Sequence, residues 1–210
     1  MDETLTLYGE RGWGSAIVEA QLEWYGLPYR FEPVGDLFRD AAARRRLEAV
    51  NPLGQVPALQ IGTRVMTESA AITLHLAERV NSDGLVPGPD APERADFLRW
   101  LVFIVANIYP TYTYGDDPAR FVDLEEARKP FRARTDAYAG RLYTVLDSAA
   151  GAPFFLGGRM SAIDIYIAVM THWRPGRAWF ETETVRLAGI ARRIGEDARL
   201  GPVIARNFPA

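Results

Sequence analysis

The residues best suited to bind a ligand lie in the segment 51–62, whose sequence is NPLGQVPALQIG. The apolar run after Pro57 predicts a buried strand, yet a proline at its start removes one hydrogen-bond donor from the sheet. A cis bond between Val56 and Pro57 suits a tight turn that leads into a strand. It would turn the backbone N–H and C=O of Val56 outward, where they can pair with a peptide-like ligand by strand addition. The alternative is an ordinary loop proline in the trans form.

Other reactive side chains are few. The chain contains no cysteine and two histidines, His75 and His172. This composition excludes disulfides, thiolate zinc sites, iron–sulfur clusters and cysteine nucleophiles. Two histidines provide no metal set, so we expect no metal site. The lack of cysteine fits a reducing cytosol.

Charge and hydrophobicity restrict the partners. The net charge of −3 argues against a nucleic-acid partner, which normally requires a basic face. The start of the chain is acidic and lacks the apolar stretch of a signal peptide. The longest apolar run, residues 100–109, is too short for a membrane-spanning helix. We expect a soluble cytoplasmic protein without a membrane partner.

Periodicity predicts the elements that must position the Val56–Pro57 segment. Residues 4–9 and 27–34 read as strands, and residues 56–69 as a hairpin. Helical spacing covers residues 15–26, 36–50 and 68–80. The order is therefore β-α-β-α-β-β-α over residues 1–80.

The sequence pattern changes after residues 81–92, which are rich in glycine, proline and aspartate. We interpret this segment as a linker. Helices are predicted at 93–110, where Pro110 ends the helix, and at 130–151, 161–174 and 183–200. Residues 93–210 are therefore expected to form an all-α domain after the mixed α+β domain.

Two strings carry a resemblance to a known family. NPLGQVPAL at residues 51–59 and TESAAITLHLAE at residues 67–78 resemble the paired motifs of cytosolic glutathione S-transferases of bacterial type. The resemblance extends over nearly the whole chain and implies a thioredoxin-like first domain. It places Val56 and Pro57 on the family's cis-proline motif, and it implies glutathione as co-substrate.

The resemblance also implies how glutathione is held. Val56 would pair with its cysteinyl part, and Glu68 and Ser69 would hold its γ-glutamyl end. Ser69 falls at a helix start, where free N–H groups favour a carboxylate. Gln55, or an arginine from the stretch 39–46, would meet the glycyl carboxylate. The alternative for Glu68 and Ser69 is simple helix capping.

The residue that activates the thiol is missing from its usual place. The family has a tyrosine at the end of the first strand, or a serine or cysteine at the start of the first helix. Here the latter positions hold Gly12, Trp13 and Gly14. Ser15 and Tyr8 remain as catalytic candidates, with helix capping and strand packing as their respective alternatives. The N–H groups of the glycines could also stabilise a thiolate.

A second substrate would lie between the two domains. Trp13, Tyr109, Tyr112 and Tyr114 are the residues that we expect to line this cleft for a small hydrophobic electrophile. The alternative for the tyrosines is ordinary core packing. Farther along, Ser161 and Asp164 form a capping-box pattern, which we interpret as important for folding rather than for chemistry.

Three functions follow from the resemblance. The first is a homodimeric enzyme that uses glutathione thiolate to attack an electrophile. A glutathione-dependent isomerase would use the same site with a different pocket. The third is a non-catalytic interaction or dimerisation module, which is favoured by the missing thiol-activating residue.

Overall fold

The computed structural model describes residues 4–209, and its central feature is a four-stranded sheet. The strands are β1 (Leu5–Gly9), β2 (Tyr29–Pro33), β3 (Ala58–Ile61) and β4 (Arg64–Met66). Their order across the sheet is β2-β1-β3-β4. β1 and β2 are parallel, whereas β3 is antiparallel to both β1 and β4.

Three helices cover this sheet: α1 (Ser15–Tyr25), α2 (Ala41–Glu48) and α3 (Ser69–Arg79). Helices α1 and α3 pack on one face, because apolar side chains alternate along β1 and β3 and point to that side. The resulting core contains Leu5, Leu7, Val18, Leu22, Leu59, Ile61, Ile72 and Leu76. The predicted order β-α-β-α-β-β-α and the thioredoxin-like class are confirmed.

The chain after α3 is mostly helical. Its helices are α4 (Arg94–Phe103), α5 (Tyr109–Asp116), α6 (Glu125–Ala149), α7 (Ala162–Met170), α8 (Arg177–Glu183), α9 (Val185–Glu196) and α10 (Gly201–Asn207). Every residue of α7 is buried, so this helix forms the centre of the second core. Within residues 4–209, no helix is long and apolar enough to cross a membrane. The domain boundaries at 80/81 and 92/93 stay a prediction.

Pro110 does not end the helix that contains it. A π-helical turn, Ile104–Ile108, follows α4, and Pro110 lies at the start of α5. A proline inside a regular helix lacks one donor and clashes with the preceding turn. The wider π turn lies where this conflict would arise, so the chain remains helical through the proline.

Helix ends also differ from the prediction. The helix expected at 36–50 begins at Ala41, because the Asp40 side chain accepts hydrogen bonds from the N–H groups of Ala42 (2.8 Å) and Ala43 (3.1 Å). Helices α8 and α10 were not predicted. Each has seven residues, which is too short to show a clear periodicity.

Asp164 connects the start of α7 to the segment before it. Its carboxylate accepts hydrogen bonds from the N–H groups of Phe155 (2.7 Å) and Ser161 (2.7 Å) and from the Ser161 hydroxyl (3.0 Å). Burial raises the pKa of Asp164 to about 6, and these donors oppose that rise. The carboxylate thus organises the second core, as the sequence pattern indicates.

We therefore predict that Asp164→Ala lowers the free energy of unfolding by about 2–4 kcal/mol, because two buried N–H groups lose their acceptor. Ser161→Ala removes the hydroxyl of the capping box but leaves the Asp164 carboxylate with its two backbone donors, and it should cost about 1 kcal/mol. Urea denaturation of both variants measures the difference. Equal losses in the two variants would contradict the role given to the carboxylate.

Candidate functional site

Two adjoining cavities lie where the β1–α1 loop, the segment that precedes β3 and the start of α3 face helix α5. The larger, called here the main cleft, has a volume of about 700 Å³. The smaller, called the side pocket, has a volume of about 180 Å³. Four residues border both cavities: Gln55, Val56, Tyr109 and Thr113. A ligand can therefore occupy the side pocket and present one end to the main cleft.

The side pocket brings together all five residues that the sequence predicts for glutathione: Gln55, Val56, Pro57, Glu68 and Ser69. The Val56–Pro57 peptide bond is cis. Among the described residues, none forms a hydrogen bond with the backbone N–H or C=O of Val56. Asn51 fixes the turn just before it, since its side-chain amide donates to the carbonyl of Gln55 at 2.8 Å.

Glu68 and Ser69 lie where the hairpin meets α3. Glu68 has a positive φ of 63°, which is uncommon for a residue with a side chain and occurs often at ligand sites. Its carboxylate is exposed and caps no N–H group of the helix. Ser69 is the first residue of α3 and is buried. The capping alternative is therefore not supported for Glu68, and the carboxylate is available to a cation.

The side chain of Ser15 does not reach the main cleft. The hydroxyl is fully buried, donates to the carbonyl of Glu10 at 2.9 Å and accepts from the N–H of Glu10 at 3.1 Å. Gly9 leaves room for it, because a Cβ at Gly9 would lie 2.4 Å from the Ser15 side chain. Nor does Ser15 cap the helix, since Gly14 holds that position. The hydroxyl instead closes the loop between β1 and α1.

Tyr8 lies on the face of the sheet that α2 covers. Its hydroxyl donates to the side-chain oxygen of Gln60 on β3 at 2.9 Å. The ring packs beside the small apolar cluster of Leu37, Ala43 and Leu47. The tyrosine borders neither cavity. Its placement agrees with the strand-packing alternative.

The loop itself offers backbone donors in place of a hydroxyl. Gly12 and Gly14 line the main cleft together with Trp13. No described residue accepts a hydrogen bond from the N–H of Gly14 or of Ser15. Both groups belong to the N-terminus of α1, where the helix dipole favours negative charge.

The aromatic residues predicted for the cleft divide into two groups. Trp13, Tyr109 and Tyr112 line the main cleft. Tyr114 does not, and this prediction needs correction: it is 43% exposed and packs edge-on against Phe121, with 4.9 Å between the ring centres. The turn of α5 carries it to the outer side of the helix.

Tyr109 stands between the two cavities. Its hydroxyl is buried and near Ser69, but it has no hydrogen-bond partner of ordinary geometry among the described residues. Burial raises the pKa of Tyr109 well above its usual value, so the hydroxyl is a donor. The Tyr112 hydroxyl differs, because it contacts the Tyr143 hydroxyl at 2.6 Å and donates to the carbonyl of Arg174 at 2.8 Å. A buried hydroxyl without a hydrogen-bond partner costs free energy, unless a bound ligand provides the partner.

Charged residues border the outer part of the main cleft. Arg44 makes no ion pair within residues 4–209, and Arg39 lies 3.8 Å from Asp36. Arg174 is bound by Asp116 and Asp136. Sequence reasoning missed Arg174 and Thr113, since no spacing connects them to the motif at residues 51–59. The described residues contain no cluster of three or more histidine, aspartate or glutamate side chains suited to a metal.

Comparison with known proteins agrees with this fold. Residues 15–79 match the family model of the glutathione S-transferase N-terminal domain. The chain is 35% identical to the uncharacterised GST-like protein YncG of Escherichia coli, over 97% of this chain and 98% of the relative. It is 29% identical to glutathione S-transferase GST-4.5 of Xanthomonas campestris, over 80% and 82% of the two chains.

A solved structure supports the same conclusion about the fold. A glutathione transferase homologue from Sulfitobacter, with bound glutathione, superimposes with a TM-score of 0.82 at 21% identity and covers 97% of each chain. An α+β sheet domain of thioredoxin type followed by helices defines the class of these proteins. The chain belongs to the glutathione S-transferase family.

The buried position of Ser15 leads to a stability prediction. Ser15→Ala should lower the free energy of unfolding by about 1–3 kcal/mol, because the Glu10 backbone loses both an acceptor and a donor. Ser148→Ala is the matched control, since that exposed hydroxyl bonds only to a carbonyl of its own helix, and it should change stability by less than about 0.5 kcal/mol. Urea denaturation measures both. Unchanged stability of Ser15→Ala would contradict the structural role.

Proposed function

We propose that this protein binds glutathione and joins it through its sulfur atom to a small hydrophobic electrophile. The observation that carries this proposal is the side pocket, in which the unpaired backbone of Val56 faces the same space as the start of α3 at Ser69. Glutathione is a peptide-like molecule with a free carboxylate and a free ammonium at one end. The pocket offers matching groups to each part.

The proposed binding mode uses the contacts in turn. The cysteinyl backbone of glutathione pairs with the N–H and C=O of Val56, as an added strand would. The γ-glutamyl carboxylate accepts from Ser69 at the N-terminus of α3, and its ammonium meets Glu68. At the other end, Arg44 has no ion pair within residues 4–209 and is the candidate for the glycyl carboxylate, with Gln55 also lining the main cleft.

The sulfur then lies near the start of α1. A free thiol has a pKa of about 8.5, and donors at a helix N-terminus lower it. The N–H groups of Gly14 and Ser15 are the available donors, whereas the hydroxyls of Ser15 and Tyr8 are already bonded to protein groups. Ser15 therefore enters the proposed mechanism through its backbone rather than its side chain.

The thiolate attacks an electrophile in the main cleft. Trp13, Tyr112 and Trp173 provide an aromatic wall for an apolar molecule. Attack forms a carbon–sulfur bond, and the leaving group departs with the displaced electron pair. We further propose that the enzyme works as a cytoplasmic homodimer. The dimer is proposed from the family to which the chain belongs, and exposed apolar side chains such as Leu53 and Val102 are candidates for its interface.

One observation favours a second function. Positions 12–14 provide neither a hydroxyl nor a thiol to the proposed sulfur position. A protein of this kind can bind glutathione without activating it, and would then be a binding or dimerisation module. The two functions share the side pocket and differ in the state of the thiol.

Calorimetric titration with glutathione, followed by ultraviolet detection of the thiolate, separates these functions. The transferase proposal predicts saturable binding, a bound thiol pKa below that of free glutathione, and conjugation with aryl halide or enone electrophiles. Binding with an unchanged thiol pKa and no conjugation would establish the module instead. Absence of binding at millimolar glutathione would overturn both.

The unpaired hydroxyl of Tyr109 gives a test of the binding mode. We expect Tyr109→Phe to weaken glutathione binding about 3–10-fold, because the hydroxyl donates to the γ-glutamyl carboxylate beside Ser69. The same variant should leave the stability of the free protein unchanged or raise it, since no bond is lost there. Calorimetry and urea denaturation measure the two effects.

Tyr112→Phe is the matched control, because it removes a hydroxyl that is already bonded within the protein. It should lower the free energy of unfolding by about 1 kcal/mol and change glutathione affinity less than about twofold. If Tyr109→Phe instead destabilises the free protein and binds glutathione normally, the proposed contact is wrong.

A further inference from the structure

A buried carboxylate on α1 has no role in the function proposed above. The Glu19 side chain is 1% exposed, in the interior of the protein. It accepts hydrogen bonds from Arg11 (2.6 Å), Tyr29 (3.0 Å), Arg206 (2.9 Å) and Asn207 (2.7 Å). Burial alone would raise the pKa of Glu19, but the bonds from Asn207 and Arg11 and the charge of Arg206 lower it.

Burial of an ionised carboxylate costs free energy, and the packing of a core does not by itself require one. Ionised side chains lose their hydration on burial, and an apolar residue of similar size often provides equal or greater stability. All four donors converge on this carboxylate, and they come from the β1–α1 loop, β2 and α10. The arrangement therefore fixes positions more than it adds stability.

The side-chain amide of Asn207 connects Glu19 to the loop between β1 and α1. Its Nδ2 donates to Glu19 at 2.7 Å and to the carbonyl of Val203 at 3.0 Å. Both of these partners are acceptors, so the amide has a single orientation that satisfies them. Its Oδ1 is then directed to the N–H of Gly12, which donates to it at 3.3 Å.

Gly12 is held from its other side as well. The indole N–H of Trp173 donates to the Gly12 carbonyl at 2.7 Å. Gly12 has a φ of +78°, which favours glycine, and a Cβ there would lie 3.3 Å from the Asn207 carbonyl. Both polar backbone groups of Gly12 are thus bonded to the C-terminal half of the chain. Gly14 and Ser15 follow within three residues.

We propose that Glu19 and Asn207 are positioning residues, which hold Gly12 so that the N–H groups of Gly14 and Ser15 face the sulfur of bound glutathione. This inference rests on the proposed function. Neither side chain borders the cavities, so each acts through the loop rather than on the ligand. The C-terminal helix α10 thereby takes part in the geometry of a site built from the other half of the chain.

The test is the pKa of the thiol in the complex with glutathione, measured by thiolate absorbance against pH. Asn207→Leu removes the acceptor for Gly12 and should raise this pKa by about 0.5–1. Glu19→Gln keeps the shape but places an amide beside Asn207, which can then turn its Nδ2 toward Gly12. It should raise the thiol pKa by a similar amount.

The double variant of Glu19 and Asn207 gives a sharper test than either single variant. Because both changes act through one hydrogen bond, the double variant should raise the thiol pKa no more than the larger single change. If the two thiol pKa shifts instead add in the double variant, Glu19 and Asn207 do not act through the same hydrogen bond to Gly12, and the inference is overturned. Glu23→Gln is the matched control: Glu23 lies one turn farther along α1 and contacts Arg206 (2.6 Å) and Tyr29 (3.0 Å), but not Asn207. It should leave the thiol pKa unchanged.

The outcomes separate this inference from the proposed function. If the unchanged protein does not lower the thiol pKa of bound glutathione, the proposed function fails and this inference fails with it. If the unchanged protein lowers it and both variants do so equally well, only the positioning role is wrong. Should Asn207→Leu fail to fold, Trp173→Phe removes the other bond to Gly12 while it keeps an aromatic side chain at that position. An unshifted thiol pKa in that variant and in Glu19→Gln would then overturn the inference.

Discussion

Helix α1 is buried from its first residue through Leu22, and the rest of the structure depends on that constraint. On one side it packs against the sheet and α3, through Val18 and Leu22. On the other it contributes Ala16, Ile17 and Ala20 to the core of the helical half. A helix fixed on both sides has a fixed N-terminus. The N–H groups of Gly14 and Ser15, which have no acceptor within residues 4–209, are therefore placed by both halves of the chain.

This arrangement explains how a site can lack the expected hydroxyl and still favour an anion. Backbone donors need no particular side chain, but they need an exact direction, because a hydrogen bond weakens steeply when it bends. The hydroxyl of Ser15 closes the loop from inside, and Asn207 and Trp173 hold Gly12 from the helical half. The cost of this solution is the buried charge of Glu19, which is offset by its four donors.

The sequence predicts the parts of the structure that depend on local pattern. The order of strands and helices follows from alternation and helical spacing, and the pocket around Val56, Glu68 and Ser69 follows from two short strings. The helix through Pro110 could not be predicted, because the π turn depends on packing in the second core. The link from Glu19 through Asn207 to Gly12 joins residues far apart in the chain, and no local pattern encodes it. The bonding of the Ser15 hydroxyl and the outward position of Tyr114 depend on the path of a loop and on the direction of α5 rather than on residue spacing.

In the proposed mechanism, the N–H groups of Gly14 and Ser15 hold the sulfur of glutathione. Nuclear magnetic resonance of the isotope-labelled protein measures this directly, through the amide proton shifts of both residues as bound glutathione is titrated with base. We expect both amide protons to move downfield as the thiol ionises, with one midpoint that equals the pKa of the bound thiol. The proposed mechanism would be contradicted if both amide shifts stay constant during the titration and the Tyr8 hydroxyl responds instead.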